Sequence, residues 1–157
     1  MNRLGIDYGT KRWGISFSDE LNIAVPLPAI IDSDIGRKWE KLAELVKMRR
    51  IREFVVGYPL NMDGSVGFKA KEIEAFAAEL KESFPDIPVE LADERLTSEA
   101  AGIGWSEKKK RQERKSGKLD SRAATLILQD YLDRLLLPEQ VDESIDQDSE
   151  LNDWTTE

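Results

Sequence analysis

Three short stretches of this chain put carboxylates where a folded protein would not place them for packing. The first is Arg3-Leu-Gly-Ile-Asp7-Tyr-Gly-Thr-Lys11-Arg12-Trp-Gly14. Leu4 and Ile6 alternate with Gly5, Asp7 and Gly9, so one face of a strand is apolar and the other carries an acid between two bare glycines. Aspartate is depleted in strands and costly when buried without a partner, so the pattern asks for something to neutralise it. Glycines on either side leave room for a cation and a phosphate backbone. Satisfaction of Asp7 by hairpin amides accounts for the segment equally well. The second stretch is Asp93-Glu94-Arg95-Leu-Thr97-Ser98, after Val89-Glu-Leu-Ala92. Neighbours in extended chain point to opposite sides, so one of the two acids faces the Asp7 strand. Helix capping plus surface charge is the rival account. The third is Lys118-Leu-Asp120-Ser-Arg-Ala-Ala124. Asp120 shares a helical face with Ala123, Ala124, Ile127 and Tyr131, which turns it toward the sheet, and the two alanines permit close approach. An N-cap aspartate explains the same residue, although Ala123 leaves no capping box.

Composition restricts what these acids can do. The 157 residues contain no histidine and no cysteine. That excludes Cys/His zinc sites, imidazole acid–base chemistry, thiol nucleophiles, haem, iron–sulfur clusters and a disulfide framework. Carboxylates without imidazole or thiolate suit hard cations, Mg²⁺ or Mn²⁺. The net charge of −8 is concentrated at one end: residues 139–157 hold eight acids and no Lys or Arg. Removing those eight from 31 acids leaves 23, equal to the 23 bases, so the remainder is neutral and nucleic acid is an admissible partner. Directly before Asp120 lies a basic run containing Lys108, Lys109, Lys110, Arg111, Arg114, Lys115 and Lys118 against a single acid, Glu113. Such a run is a phosphate-binding footprint, and its Ser-Gly ending suggests a loop that orders on its ligand. A further loop, Tyr58-Pro-Leu-Asn61-Met-Asp63-Gly64, follows a strand and opens a helix, where amides can meet an anion or form an ordinary turn.

The elements that must position these groups alternate between period 2 and period 3.6. Strands are predicted over the Asp7 segment, Trp13–Ser18, Ala24–Ile31, Glu53–Tyr58 and Val89–Ala92. Pro26 and Pro28 mark the third as an edge strand, and the unbroken apolar run of the fourth marks a buried parallel one. Helices are predicted over Gly36–Arg50, Val66–Phe84, Thr97 or Ser98 to about Trp105, and Leu119–Leu137. The order implies an α/β fold, three meander strands followed by βαβ crossovers, with helices on both faces of a mixed sheet. Residues 1–138 are expected to form one domain, and 139–157 a disordered acidic tail that could fold back on the 108–118 segment as a nucleic-acid mimic. No apolar run approaches the roughly 18 residues of a membrane span, and the start lacks the apolar stretch of a signal peptide, so a cytoplasmic protein is expected.

Taken together and in order, the Asp7 segment, Val56-Gly-Tyr-Pro-Leu-Asn-Met-Asp-Gly-Ser65, Asp93-Glu94-Arg-Leu-Thr-Ser98 and Leu119-Asp120-Ser-Arg-Ala-Ala-Thr-Leu-Ile-Leu-Gln129 resemble the YqgF family, also called RuvX. These are Holliday junction resolvase-like proteins associated with nucleolytic processing of the 5′ end of pre-16S ribosomal RNA. The resemblance covers about residues 3–137 and implies an RNase H-like fold with a five-stranded sheet, in a bacterial cytoplasmic protein of ribosome biogenesis. It carries the family's acids onto Asp7, Glu94 and Asp120, which would hold Mg²⁺ or Mn²⁺ for phosphodiester hydrolysis, either one ion or two roughly 4 Å apart. Lys11, Arg12, Arg95 and the bases of 108–118 would hold the nucleic-acid backbone, pre-rRNA or branched DNA. Trp13 departs from the Ile or Val expected between Arg12 and Gly14, a change in the core. Two alternatives accompany this reading: a junction-cutting DNA endonuclease, and a non-catalytic nucleic-acid-binding protein. A monomer or homodimer fits either. Gly5 to Lys11 also resembles the first phosphate loop of sugar kinases and actin-like ATPases, but those require a second domain for which the chain is too short.

Overall fold

The computed structural model describes residues 1–59, 67–93 and 121–136. Five strands form one sheet: β1 (Arg3–Tyr8), β2 (Arg12–Ser18), β3 (Val25–Ile31), β4 (Glu53–Tyr58) and β5 (Val89–Asp93), in the order β3-β2-β1-β4-β5. β1, β2 and β3 pair antiparallel, whereas β4 pairs parallel with both β1 and β5. This is the mixed α/β sheet that the residue pattern implied. The double proline of β3 lies on an edge, where missing N–H donors cost no ladder bonds, and apolar β4 lies inside the sheet.

Helices cover both faces. α1 (Ile35–Met48) is capped by Asp34, whose carboxylate accepts from the Gly36 amide at 3.0 Å. It shares one face with α2 (Phe68–Ser83), and both close on Leu4, Ile6, Ile15, Phe54 and Val56. Trp13 belongs to this core. It is 1% exposed and packs edge-on against Trp39 of α1 and Phe76 of α2 at ring separations of 5.2 and 5.0 Å, so the residue that departs from the family pattern is accommodated by aromatic neighbours. Lys38 of α1 is also buried. Its ammonium donates to the Thr10 carbonyl at 3.0 Å and stands 5.5 Å from the Trp13 ring, which pins the hairpin turn between β1 and β2.

The opposite face is covered by α3 (Arg122–Leu135), slightly shorter than the helix predicted to Leu137, whose end lies outside the described residues. Ile127, Leu128 and Leu132 of α3 bury against Val55 and Ala92, each such side chain contributing roughly 1.5–3 kcal/mol. The helix lies very close to the sheet. A Cβ on Gly5 would fall on Ser16 Oγ and stand 2.9 Å from Leu128 Cβ and 3.1 Å from the Ala124 carbonyl oxygen. Ser16 Oγ itself donates to that carbonyl at 2.8 Å. The bare position at Gly5 therefore serves helix packing, not a ligand. Gly9 is likewise filled from within the chain, since its Cβ would meet the Arg12 carbonyl oxygen at 2.8 Å in the hairpin turn.

Gly5→Ala should destabilise the protein by about 1–3 kcal/mol, the usual cost of overpacking, because the obstructing atoms include backbone. Urea denaturation would show a lower midpoint with an unchanged slope, and an unaltered midpoint would contradict the close seating of α3.

Candidate active site

The C-terminal ends of β1, β4 and β5 lie at one edge of the sheet, where open α/β sheets place their ligands. The strand order changes direction there as well: β1 lies between β2, which precedes α1, and β4, which follows it. Asp7 stands on this edge. Its register partner is Gly14, and its parity with Gly5 turns it to the α3 face. It is half-buried, and burial holds its carboxyl above the usual 3.8 despite the opposing field of Lys69, in the first turn of α2. Among the described residues no donor is bonded to its carboxylate, so hairpin amides do not satisfy it.

The hairpin that follows Asp7 carries Lys11 and Arg12, both exposed at the same edge. Tyr58 ends β4 there and donates its hydroxyl to Glu74 of α2, a bond that holds the phenol above its ordinary pKa. Lys69 was not evident from the sequence, in which it reads as part of the solvated face of an amphipathic helix. Its place just beyond the loop that follows β4 was the available signal.

Asp93 ends β5 opposite Tyr58. It has the parity of Val89 and Leu91, whose face carries α1 and α2, whereas Ala92 packs with α3. Asp93 therefore lies on the other side of the sheet from Asp7. Glu94, Arg95, Asp120 and the bases Lys108, Lys109, Lys110, Arg111, Arg114, Lys115 and Lys118 lie outside the described residues, as do Asn61, Asp63 and Gly64. Among the described residues no three acids gather into a metal-binding group.

Ser121, which follows Asp120, is placed. It is fully buried and is the N-cap residue of α3, so the cap position is not that of Asp120. Ser121 makes no side-chain cap bond to its own helix. Its hydroxyl instead donates to the Leu27 carbonyl at 2.6 Å and accepts from the Ile15 amide at 2.9 Å. Ile15 adjoins Gly14, the partner of Asp7, so the start of α3 is fixed against the strand that pairs with the Asp7 strand.

A family profile described as "RuvX: Holliday junction resolvase" matches residues 1–134. A relative in Opitutus terrae named "Putative pre-16S rRNA nuclease" is 50% identical over 138 residues, covering 88% of this chain and 95% of its own. One of the same name in Crocosphaera subtropica is 38% identical over 135 residues, covering 85% and 94%. Among solved structures, the Fowlpox virus resolvase bound to Holliday junction DNA superposes with a TM-score of 0.54 at 16% identity, covering 87% of this chain and all of that one. Thermus thermophilus RuvC superposes with a TM-score of 0.50 at 14% identity, covering 86% and 96%. The fold is thus the RNase H-like fold of the resolvases, the one that the motifs implied. No helix among the described residues is long and apolar enough to cross a membrane.

A carboxylate raised by burial disfavours the folded state once it ionises, so stability falls as pH rises above 3.8 through the folded-state value. In a chelator, Asp7→Asn should therefore be more stable than the parent at pH 7, with the gain shrinking toward pH 4. Urea midpoints at the two pH values measure this; a variant less stable at pH 7 would contradict the desolvation of Asp7.

Proposed function

The chain belongs to the RuvX family, and on that footing we propose that it is a divalent-cation-dependent nuclease that hydrolyses phosphodiester bonds in structured RNA, processing the 5′ end of pre-16S rRNA in the bacterial cytoplasm. The observation that carries this is Asp7: a half-buried carboxylate, without a bonded donor among the described residues, at the strand edge where such sheets bind ligands. The donor chemistry suits a hard cation, because the chain offers oxygen ligands and neither imidazole nor thiolate.

In this reading Asp7, Glu94 and Asp120 hold the cation. Glu94 is assigned in preference to Asp93 because Asp93 has the parity opposite to Asp7, and residue 94 takes the other parity if the extended chain continues. Asp120 is assigned because Ser121, the next residue, is bonded to the backbone beside Gly14. When bound, a divalent ion supplies a hydroxide at neutral pH and offsets charge on the leaving oxygen. The protein's part is to hold that ion by carboxylates and to bind the substrate backbone. Lys11 and Arg12 present cations on a turn braced by Lys38, and Lys69 adds positive potential beside Asp7. Arg95 and the bases from Lys108 to Lys118 extend the phosphate contact along the substrate. No side-chain nucleophile is required, which accords with a chain lacking His and Cys. The family description and the fold likeness to resolvases favour a second substrate, four-way junction DNA, as the alternative.

The test incubates the full chain with a 5′-extended 16S precursor RNA and, separately, a four-way DNA junction, each with Mg²⁺, Mn²⁺ or EDTA. Metal-dependent cleavage of the RNA is expected. Losing several kcal/mol of charge stabilisation, at about 1.4 kcal/mol per factor of ten, puts the loss for Asp7→Asn at roughly a thousandfold, with RNA affinity nearly unchanged. Glu94→Gln and Asp120→Asn should behave alike. Cleavage that survives EDTA or Asp7→Asn overturns the proposal, and cleavage of the junction alone transfers it to DNA.

A further inference from the structure

On the face opposite α3, the edge strand β3 and helix α1 leave a groove of about 270 Å³ between them. Leu27, Pro28, Ile30, Leu45 and Met48 make it apolar, while Lys41, Glu44 and Arg49 complete its lining. Met48 is 73% exposed, and Ile31 and Val25 of the same strand are exposed as well. An apolar strip of this kind on an edge strand is normally covered or broken by charge. The prolines at 26 and 28 remove two donors from the edge, so an occupant engages through side chains and not as a sixth strand.

Charge narrows the occupant. Apart from buried Lys38, residues 35–50, which include α1, carry Arg37, Lys41, Lys47, Arg49 and Arg50 against Glu40 and Glu44, in a chain whose net charge is −8. Of the acids beside the groove, Asp32 is paired with Lys41 at 3.3 Å, and Glu44 is the other. A net-positive rim over an apolar floor suits an occupant that is acidic and also buries apolar side chains, which a nucleic-acid backbone does not do. Residues 139–157 of this chain meet both demands: eight acids and no bases, interspersed with Val141, Ile145, Leu151 and Trp154.

Connectivity permits the contact. Tyr131 of α3 donates to Glu53 at 3.0 Å, and Glu53 is paired with Arg3 at 2.5 Å, so the last turns of α3 lie at the N-terminal ends of β1 and β4. Asn2, at that same end, donates its amide to the Arg49 carbonyl at 2.6 Å, where α1 finishes. The chain thus leaves α3 at the end of the sheet where the groove opens beside Met48 and Arg49. The 21 residues after Leu136 span up to about 70 Å when extended, against roughly 20 Å for two packed layers. Tethering gives an effective concentration in the millimolar range, so a weak intrinsic affinity suffices.

We propose that the acidic C-terminal segment 139–157 docks in the groove between β3 and α1, Val141, Ile145, Leu151 and Trp154 supplying its apolar contacts and its carboxylates facing the bases of α1. The nuclease assignment plays no part in this.

The chain has no cysteine, so Ser149→Cys in the full chain takes a single nitroxide label. Amide signals of Leu27, Ala29, Ile30, Leu45 and Met48 should be selectively broadened and recover when the nitroxide is reduced. Met48→Glu, a change at an exposed position, should remove the broadening without altering the rest of the spectrum. Uniform broadening, or broadening centred on residues 108–118, overturns the proposal. Broadening that appears only between a labelled chain and a separate isotope-enriched chain also overturns it, because the occupant would then be a second copy.

Discussion

The close seating of α3 on the sheet is the contact on which the candidate site depends. Gly5 removes the one side chain that would hold the helix away, and Ser16 and Ser121 then reach across by hydrogen bonds of 2.6 to 2.9 Å to and from backbone groups. Each contributes only about 1 kcal/mol net, but together they set both depth and register. A slip of α3 by one residue would break them at once and leave buried polar groups unpaired, which costs more than the bonds supply. The hydroxyl of Ser121 is spent on β2 and β3 instead of capping its own helix. The chain thus forgoes local helix stability to fix where α3 begins, beside the partner strand of Asp7.

Lys38 and Asp7 are both drawn out of water near this edge, and they are treated differently. Lys38 is 4% exposed, yet its ammonium has a carbonyl and an aromatic face, so its desolvation is offset within the protein. Asp7 has burial working against its charge and only the field of Lys69 in its favour. The first arrangement is structural: it braces the turn. The second is a local conflict between sequence and fold, and such conflicts collect where a ligand resolves them.

Much of this was legible because it rested on periodicity. Strict alternation at Leu4–Ile6, the proline pair at 26 and 28, and the unbroken run from Glu53 to Tyr58 determined strand type, edge and interior correctly. The acid at position 7 was conspicuous for the same reason, since a strand face has few uses for aspartate. What could not be read was the purpose of the glycines. Gly5 looks the same in sequence whether it makes room for a phosphate or for a helix, and only the position of Leu128 and Ala124 decides it. Ser121 was equally opaque, because a serine before an apolar helix suggests a cap, and its partners lie 94 and 106 residues away. Lys69 acts through space on a residue of another element, and no spacing encodes that.

The acid that ends β5 shows how strand geometry narrows the choice between adjacent residues of the same charge. Asp93 and Glu94 are interchangeable by composition and adjacent in sequence. The pairing of β4 with β5 removes the symmetry: Gly57 meets Ala92 and Tyr58 meets Asp93, while Ala92 packs with α3 and Leu91 points away from it. Since Asp7 shares the α3 face, Asp93 would have to turn through the sheet to reach it.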